Sequence, residues 1–444
     1  MSPMREESFY LRSFGCQMNA HDSERIAGLL EEMGMARCEA PEDASLLVYN
    51  TCSIREKADT RLAGHLGEAA RLKKSEPTRT VVVAGCVPQS RRQELLGEYP
   101  FVDVLVGPQS LHELPRLLEE RRTTGAAATC FHEETTKWSA ELPRTTTEGP
   151  CAWVQITAGC TNFCSYCIVP HVRGPEASRP AREILAEVKA LVAEGVKEVT
   201  FLGQNVNAYG KEEGFGGDES FADLLQAACE TSGLERLRFM TSHPKDVSNA
   251  LVELLSRSNQ VCEHVHLPVQ AGSDQVLAQM RRGYDRSSYV SLVERMRKAV
   301  PDIALTTDII VGFPGETEED FVQTLELVEE CSFDSAFTFI YSPRRGTVAA
   351  ALPGRVEAGV ARERMRRLVQ KIQQQGRAKN LALVGRVVEV LVERGSRQAQ
   401  GEVMGRTRSH KPVHFRSGAS PGDLVRVEVT EATSTSLRGH EVAT

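Results

Sequence analysis

The sequence predicts an α/β protein with an N-terminal doubly wound parallel sheet, a central partial (β/α)6 barrel and a small C-terminal antiparallel β-barrel. Two observations indicate the first two parts: apolar runs of strand length alternate with segments of helical period, and the alternation restarts after an aperiodic segment. A third indicates the last part, since Gly, Ser and Pro turns separate the strand-like runs beyond Gly385. The predicted ranges are 1–122 for the first domain, 123–150 for a linker, 151–378 for the partial barrel and 379–444 for the small barrel.

The N-terminal domain is predicted from four apolar runs that alternate with helical-period segments. Such alternation with short turns produces a parallel sheet with helices packed on its faces. Residues 123–150 are rich in Thr and Ala and lack periodicity, so we expect them to form a linker. The predicted strands are Phe9–Phe14, Leu46–Tyr49, Val81–Ala84 and Val102–Val106, and the predicted helices include Ser23–Met33, Arg55–Leu72 and Leu111–Arg121.

The middle region repeats the strand–helix unit six times, which predicts a barrel that is open or incomplete. In barrels of parallel strands, the functional site lies at the carboxyl ends of the strands. We therefore look for chemistry directly after each predicted strand. These strands are Trp153–Thr157, Glu198–Leu202, Arg236–Met240, Glu263–Pro268, Ile303–Val311 and Ser335–Tyr341.

The C-terminal region changes character, with strand-like runs such as Val387–Val392 and Leu424–Thr430 between turn residues. About 60 residues of this kind are similar in scale to an oligonucleotide-binding barrel. A helix is predicted just before it, over Val356–Gln375. Its basic residues are Arg362, Arg364, Arg366, Arg367 and Lys371.

Composition excludes several classes of protein. The chain is 41% hydrophobic and 25% charged, as expected of a globular protein that buries a sizeable core. No stretch reaches the ~18 consecutive apolar residues of a membrane span, and the N-terminus has no apolar signal region. We therefore expect a cytoplasmic protein without a membrane partner. Twelve cysteines among 444 residues are too sparse for a disulfide scaffold, so clustered cysteines indicate metal ligands or catalytic groups.

The charge of the chain is distributed unevenly. Residues 344–444 contain 19 Lys and Arg against 9 Asp and Glu, whereas the rest of the chain contains 34 against 51. A basic C-terminal region on an acidic body indicates a polyanionic partner, although a solvated helix surface would give the same pattern. Within the small barrel we expect Arg406, Arg408 and Lys411 to contact phosphates, and Phe415 to serve either as a base-stacking surface or as barrel core.

The strongest motif is GCTNFCSYC, which places Cys160, Cys164 and Cys167 in C-x3-C-x2-C spacing directly after the first strand of the middle domain. Spacings this short let one loop surround an iron–sulfur cluster with thiolates. Three thiolates leave one iron of a four-iron cluster open. The alternative is a zinc site, which requires four ligands and would have to recruit His171.

A second set consists of Cys16, Cys52 and Cys86, each of which lies just past a predicted parallel strand. Because the carboxyl edge of such a sheet is where ligands bind, three loops could bring three thiolates together. The alternative is that these are buried small residues, as free cysteines often are. We favour a second cluster. The other cysteines are expected to pack, with Cys151 as the one spare ligand candidate: Cys38, Cys130, Cys151, Cys229, Cys262 and Cys331.

These motifs carry a resemblance to a known family. C-x3-C-x2-C with an aromatic residue, Tyr166, before the last cysteine resembles the radical S-adenosylmethionine (SAM) superfamily. The segments FGCQMN, NTCSI, VAGCVPQ, YCIVPHVRGPEASR, LGQNVNAYG, HLPVQAGSD, MRRGYDR, TDIIVGFPGETEEDF and YSPRRGT together resemble the methylthiotransferases along nearly the whole chain. The GCQMN form is similar to the MiaB family, which acts on tRNA, and the small barrel is similar to an RNA-binding TRAM domain.

The resemblance implies two [4Fe-4S] clusters and SAM as cofactors. Cys160, Cys164 and Cys167 would hold the cluster whose open iron chelates SAM, and reductive cleavage would release a 5′-deoxyadenosyl radical. The other three cysteines would hold an auxiliary cluster that presents or supplies sulfur. No catalytic side chain is expected beyond the cluster ligands. The residues expected to border SAM are Tyr166, Gln204, Asn205, Gly312 and Gly315.

The implied reaction inserts sulfur and a methyl group at C2 of N6-isopentenyladenosine at position 37 of tRNA. The expected partners are the anticodon stem-loop carrying the prenylated adenosine and an electron donor protein, and the chain is expected to be a monomer. One alternative is the sister reaction on N6-threonylcarbamoyladenosine, against which the GCQMN form argues. The other is a non-catalytic, RNA-binding iron–sulfur redox sensor, which would have no need of a vacant iron.

Overall fold

The structure is a computed structural model, and it divides into two compact units that we describe separately. The first comprises residues 1–146, 157–161 and 167–179, and the second comprises 147–156, 162–166 and 180–444. The described residues are 7–53, 56–135, 138, 141–145, 149–212, 214–217, 219–395 and 401–442, with 56–60 described by their backbone alone. No helix within these ranges is long and apolar enough to cross a membrane.

The first unit is built on a six-stranded parallel sheet with strand order β2-β1-β3-β4-β5-β6. The doubly wound parallel sheet predicted from sequence is thereby confirmed. The sixth strand lies within the segment that was predicted to be a linker, so that segment begins by completing the sheet. The strands are β1 (Ser8–Ser13), β2 (Ala36–Arg37), β3 (Leu46–Thr51), β4 (Thr80–Gly85), β5 (Val104–Val106) and β6 (Ala128–Cys130).

Helices cover both faces of this sheet. In β4, Val82 and Ala84 pack in one core while Val81 and Val83 pack in the other, which explains a strand that is apolar at nearly every position. The predicted helix over Arg55–Leu72 corresponds to α2, with Arg55 itself outside the described residues. The helices are α1 (Gln17–Glu32), α2 (Glu56–Ser75), α3 (Cys86–Arg91), α4 (Gln93–Glu98) and α5 (Leu114–Thr124).

The chain then enters the second unit with strand β7 (Cys151–Gln155) and contributes one more segment to the first. There β8 (Thr157–Ala158) pairs antiparallel with β9 (Ala177–Ser178). Helix α6 (Val169–Arg173) lies between them in sequence, and its Val172 packs against Cys86.

The second unit contains the predicted partial barrel of six parallel strands. Strands β11-β10-β7 form one sheet and β12-β13-β14 another, and a parallel bridge between Leu237 and Val261 joins them. The strands that follow β9 are β10 (Glu198–Leu202), β11 (Arg236–Phe239), β12 (His264–His266), β13 (Ala304–Val311) and β14 (Ser335–Ile340). The helices are α7 (Ala181–Ala193), α8 (Phe221–Cys229), α9 (Asn249–Arg257), α10 (Asp274–Gln279), α11 (Arg286–Ala299), α12 (Glu318–Cys331) and α13 (Ala358–Leu381).

Alternation along these strands separates an apolar face from a polar one. Val199, Leu237 and Val265 join the core under the helices, whereas Arg238 and His264 are buried polar residues on the intervening positions. Because successive side chains of a strand point to opposite faces, the face turned away from the helices is lined by polar groups. Part of this polar face contacts the small C-terminal barrel, since Arg238 donates to the carbonyl oxygen of Arg408 and His264 stacks on His410.

The small C-terminal barrel is closed, with strand order β15-β16-β17-β19-β18. Phe415 is 2% exposed and belongs to the barrel core, so the structure decides against a base-stacking role for it. The strands are β15 (Val387–Gly395), β16 (Glu402–Thr407), β17 (Pro412–Arg416), β18 (Leu424–Ala432) and β19 (Leu437–Glu441).

The basic residues predicted to contact phosphates are engaged inside this unit. Arg408 forms an ion pair with Glu263 at 2.7 Å, and Lys411 donates to an Asp334 carboxylate oxygen at 2.8 Å. Arg406 pairs with Glu393. These contacts correct the expectation drawn from charge alone, because all three side chains serve ion pairs within the protein rather than standing free for RNA.

Buried arginines of the partial barrel reinforce the same interface. Arg238 is 1% exposed and donates to the carbonyl oxygens of Arg408 at 2.6 Å and Thr407 at 2.8 Å. Arg236 donates to the carbonyl oxygen of Arg406 at 2.8 Å. The last two residues of β16 and the residue after it therefore supply acceptors for two buried guanidinium groups of β11, which fixes the small barrel to the partial barrel.

Candidate metal centres

The first cysteine set is brought together at the carboxyl edge of the parallel sheet. Cys16 caps the start of α1, Cys52 directly follows β3, and Cys86 begins α3 directly after β4. Strands β1, β3 and β4 are neighbours in the sheet, so the loops that leave them lie side by side. The Cys52 thiol hydrogen-bonds to Cys16, and Cys86 is close enough to Cys16 to interact with its charge.

Two glycines allow these loops to approach one another. Gly15 has φ +138° and Gly85 has φ +95°, values that side chains with a Cβ rarely adopt. A Cβ on Gly15 would overlap the Cβ of Cys52, and one on Gly85 would overlap the carbonyl oxygen of Thr51. The glycine before each of Cys16 and Cys86 is therefore required both by backbone conformation and by space.

Buried amide side chains hold the same loops in place. Asn19 accepts hydrogen bonds from the Cys16 backbone and thiol, each at 3.4 Å, and donates to the carbonyl oxygen of Thr51 at 2.9 Å. Asn50 donates to the carbonyl oxygen of Asn19 at 2.8 Å. Both asparagines belong to the GCQMN and NTC segments, but sequence reasoning assigned them no role, because their partners lie about 30 residues away.

A buried ion pair sets the electrostatics of this edge. Arg173, at the end of α6, donates to Asp22 at 2.8 Å, and both side chains are at most 5% exposed. The hydrogen bond from Cys52 is the main cause that lowers the pKa of Cys16 to about 6, with Arg173 assisting against burial. Burial raises the pKa of Cys86, while the positive charge of Arg173 opposes the rise. The thiols thus lie where one cation stabilises their ionised form.

The second set, Cys160, Cys164 and Cys167, lies in the loop between β8 and α6. Cys160 donates its backbone N–H to the carbonyl oxygen of Gly174 at 3.2 Å. Cys164 is 8% exposed, and its Sγ accepts a hydrogen bond from Arg282 Nη1 at 3.3 Å. All three cysteines follow the first barrel strand, β7, along the chain.

Ser165 and Tyr166 anchor the part of this loop that belongs to the second unit. Ser165 donates its hydroxyl to the carbonyl oxygen of Gln279 at 2.7 Å and its N–H to that of Met280 at 3.0 Å. Tyr166 packs against the small core that contains Met280, and its hydroxyl accepts from Arg282 at 3.5 Å. The aromatic residue before the last cysteine is therefore a packing residue whose hydroxyl contacts the arginine that holds Cys164.

The two residues predicted to follow β10 at the mouth of the barrel differ in their surroundings. Asn205 donates to Asp246 at 2.8 Å and accepts from the backbone N–H of His243 at 3.1 Å, so its amide joins two loops at the strand ends. Gln204 keeps a buried side-chain oxygen that has no hydrogen-bond partner within the part of the chain that the structure describes. Of the two, Gln204 offers a hydrogen-bond acceptor to a ligand, while Asn205 positions the loops at the strand ends.

The glycines predicted to border the cofactor lie in the loop after β13. Gly312 has φ +73° and Gly315 has φ +81°. The N–H of Gly312 donates to Glu316 at 2.7 Å, and that of Gly315 donates to the carbonyl oxygen of Gly354 at 2.8 Å. These hydrogen bonds fix the loop, and both backbone donors are already used within the protein.

The spare-ligand candidates are not supported by the structure. Cys151 begins β7, at the opposite end of the strand from the cysteine loop, and burial raises its pKa beside Glu198. The His171 side chain is exposed on α6. Without these two candidates, each cysteine set offers three thiols, which fits an iron–sulfur cluster with one open iron better than four-coordinate zinc.

Three family models match the chain. They are the Radical SAM superfamily at residues 154–328, the uncharacterized protein family UPF0004 at residues 8–107, and the TRAM domain at residues 381–442. Each match falls on one of the three folded parts predicted from sequence.

Curated relatives match nearly the full length. The chain is 46% identical over 98% of its length to tRNA-2-methylthio-N(6)-dimethylallyladenosine synthase of Moorella thermoacetica, of which it covers 98%. It is 44% identical over 98% of its length to the protein of the same name from Thermoanaerobacter sp. (strain X514), of which it covers 92%.

Solved structures show likeness of fold at low identity. The radical SAM methyltransferase TsrM from Kitasatospora setae aligns with a TM-score of 0.57 at 14% identity, over 78% of this chain and 74% of that one. The cobalamin-dependent radical SAM enzyme OxsB aligns with a TM-score of 0.53 at 10% identity, over 82% and 56%. The fold is therefore that of radical SAM enzymes, and the chain belongs to the family of tRNA-2-methylthio-N(6)-dimethylallyladenosine synthases.

Proposed function

We propose that the chain converts N6-dimethylallyladenosine at position 37 of tRNA to its 2-methylthio derivative, with SAM and two [4Fe-4S] clusters as cofactors. The names of the curated relatives and the radical SAM fold support this activity. When bound, the cofactors supply reductive cleavage of SAM, sulfur and a methyl group. A C2–H bond is unactivated, so acid–base catalysis by a side chain would not suffice.

One observation carries the proposal: the three thiols that the sheet assembles from distant positions. Cys16, Cys52 and Cys86 hold an auxiliary cluster, which provides sulfur chemistry that cleavage of SAM alone does not need. Their closeness is supported by the hydrogen bond between Cys52 and Cys16 and by the interaction of Arg173 with both Cys16 and Cys86. Cys160, Cys164 and Cys167 hold the cluster that binds SAM.

The residues of the chain position and enclose these groups. Asn19 and Asn50 fix the three loops of the auxiliary site, and Ser165 anchors the other cysteine loop. Gln204, whose buried oxygen lacks a partner among the described residues, would hydrogen-bond the amino acid part of SAM. The glycines of the loop after β13 let backbone border the same cofactor.

The small barrel binds the anticodon stem-loop, as expected of a TRAM domain. Since Arg406, Arg408 and Lys411 are engaged in ion pairs, the phosphate contacts fall to other basic residues. Arg394 on β15 and Arg416 on β17 are exposed, and their strands flank β16 on either side. We assign these two arginines to the RNA surface.

Several finer points complete the proposal. The protein works as a cytoplasmic monomer that takes electrons from a donor protein. Its division into residues 1–122, 123–150, 151–378 and 379–444 describes the functional parts, with β6 completing the first sheet from inside the second range.

The test is anaerobic reconstitution with iron and sulfide, followed by incubation with SAM, reductant and prenylated tRNA and analysis of nucleosides. We expect about eight irons per chain and 2-methylthio-N6-dimethylallyladenosine as product. Product on threonylcarbamoyl tRNA instead would support the sister reaction. Tight RNA binding without cleavage of SAM would support the redox sensor.

A further inference from the structure

Arg282 is a buried guanidinium group that contacts a predicted cluster ligand. Its side chain is 5% exposed, and its Nη1 lies 3.3 Å from Cys164 Sγ. The remaining donors reach the carbonyl oxygen of Pro268 at 2.9 Å and the hydroxyl of Tyr284 at 2.9 Å. These contacts fix the orientation of the planar guanidinium group, so that one of its nitrogens faces the thiol.

The charge of Arg282 is not balanced by a carboxylate among the residues that the structure describes. Its contacts there are hydroxyl and carbonyl oxygens and the Cys164 sulfur. Three other buried arginines are paired with carboxylates: Arg173 with Asp22 at 2.8 Å, Arg364 with Glu316 at 2.7 Å and Arg238 with Glu198 at 2.9 Å. Burying an unpaired charge is costly, so this site is incomplete until an anion arrives.

We propose that Arg282 supplies the positive charge that balances the cluster on Cys160, Cys164 and Cys167, and thereby makes this cluster easier to reduce than the auxiliary one. The proposal rests on the ligand assignment made above. Hydrogen bonds to cluster sulfur and nearby charge are established determinants of reduction potential. A cation that contacts a ligand thiolate favours the reduced form, because reduction adds one negative charge to the cluster.

The cation beside the auxiliary cysteines, Arg173, differs from Arg282 because it has a carboxylate partner. Arg173 interacts with Cys16 and Cys86, but Asp22 already neutralises it at 2.8 Å. With clusters bound, a one-electron donor would therefore reduce the cluster at the SAM site first, where the electron is needed to cleave the sulfonium bond. Arg282 is a positioning and tuning residue, since it acts on the reacting atoms through Cys164.

The test is a redox titration of the reconstituted holoenzyme, followed by electron paramagnetic resonance of the signal that SAM perturbs. We expect Arg282→Gln to lower the ratio of reduced to oxidised cluster at fixed potential at least tenfold, which corresponds to about 59 mV for one electron. Arg282→Lys keeps the charge and restores most of the ratio. Arg281→Gln makes the same chemical change at an exposed neighbour and leaves the ratio unchanged.

Each outcome of the titration either supports or overturns the role proposed for Arg282. An unchanged ratio in Arg282→Gln overturns the inference while leaving the proposed function intact, whereas a wild-type protein without any SAM-perturbed signal overturns the proposed function itself. If Arg282→Gln loses about four irons and Arg282→Lys keeps them, the requirement for charge is supported. If both variants lose them, the role of Arg282 is steric and the inference is wrong.

Discussion

The two cysteine sets are built in opposite ways. Cys160, Cys164 and Cys167 come from eight consecutive positions of one loop, whereas Cys16, Cys52 and Cys86 are drawn from three loops by the order of strands β1, β3 and β4. When the surrounding sheet shifts, thiols on one loop can keep their distances from one another. Thiols on three separate loops cannot, because their distances depend on how the strands pack. The auxiliary site should therefore be the more sensitive of the two to changes in packing.

The sets also differ in electrostatics. The cation beside the auxiliary thiols is neutralised by Asp22, and the cation beside Cys164 has no carboxylate partner among the described residues. The positive charge at the auxiliary site is thus neutralised before a cluster binds, whereas the positive charge beside Cys164 is neutralised by the cluster itself. This difference predicts that the two sites respond differently to loss of a ligand, to steric change and to removal of charge.

Loss of a single thiolate should have the largest effect. In Cys164→Ala we expect formation of 5′-deoxyadenosine to stop, and methylthiolated product with it. In Cys52→Ala we expect product to vanish while 5′-deoxyadenosine still forms under strong reductant, because Cys160, Cys164 and Cys167 are unchanged. Chromatography of reaction mixtures measures both compounds.

The matched control for both is Cys229→Ala, a half-buried cysteine in α8 that belongs to neither set. It should retain both activities. Iron content and circular dichroism must be compared first, since loss of a cluster can unfold a domain. Normal product from a folded Cys52→Ala protein would show that the auxiliary assignment is wrong.

The second-largest effect should come from a steric change at the sheet edge, which we expect to damage the auxiliary site alone. Gly15→Ala forces a Cβ onto the Cβ of Cys52 in a left-handed conformation, and such strain alone costs of order 1–3 kcal/mol. We expect the variant to lose about four irons but to keep cleaving SAM. Gly34→Ala is the control, because Gly34 has φ +84° with no atom within 4 Å of an added Cβ.

Comparison of the two glycine variants isolates crowding from backbone strain. Iron analysis and thermal unfolding measure the two effects separately. If Gly34→Ala also lost iron, strain anywhere in the first unit would disrupt the cluster, and the site would be less dependent on its edge than we infer.

Both cysteine sets could be proposed from the sequence because each cysteine obeys a local rule, either short spacing or a position directly after an apolar strand. It did not reveal Arg282, whose contact with Cys164 spans 118 residues, or the pairing of Arg173 with Asp22 across 151. Strand β6 was missed because three residues at a sheet edge produce no periodicity.

Charge was the least informative property of the sequence. The basic residues of the small barrel were assigned to RNA because composition counts cations without locating their partners. In the structure, Glu263 and Asp334 of the partial barrel take up Arg408 and Lys411. Whether a basic side chain is available to RNA depends on carboxylates from distant segments, and these partners cannot be identified from the local sequence.

Removal of the charge on Asp22 should have a moderate effect that is confined to the auxiliary site. Asp22→Asn retains a hydrogen-bond acceptor for Arg173 but leaves its positive charge unbalanced. We expect the auxiliary cluster to become easier to reduce, which redox titration of the signal that SAM does not perturb would detect. A shift in the SAM-perturbed signal instead would contradict the separation of the two sites.

The smallest effect concerns tRNA binding by the small barrel. Loss of one phosphate contact lowers the slope of log affinity against log salt by about one unit. We expect this change for Arg416→Ala and for Arg394→Ala, since both side chains are exposed. Arg408→Ala should leave the slope unchanged and lower thermal stability instead, because its guanidinium is tied to Glu263 and to the carbonyl oxygen of Val261 at 3.0 Å. Filter binding of prenylated tRNA across a salt series measures the slopes. A reduced slope in Arg408→Ala together with unaltered slopes in the other two would return the RNA surface to the residues that the sequence first indicated, and would mean that the ion pair with Glu263 opens when RNA binds.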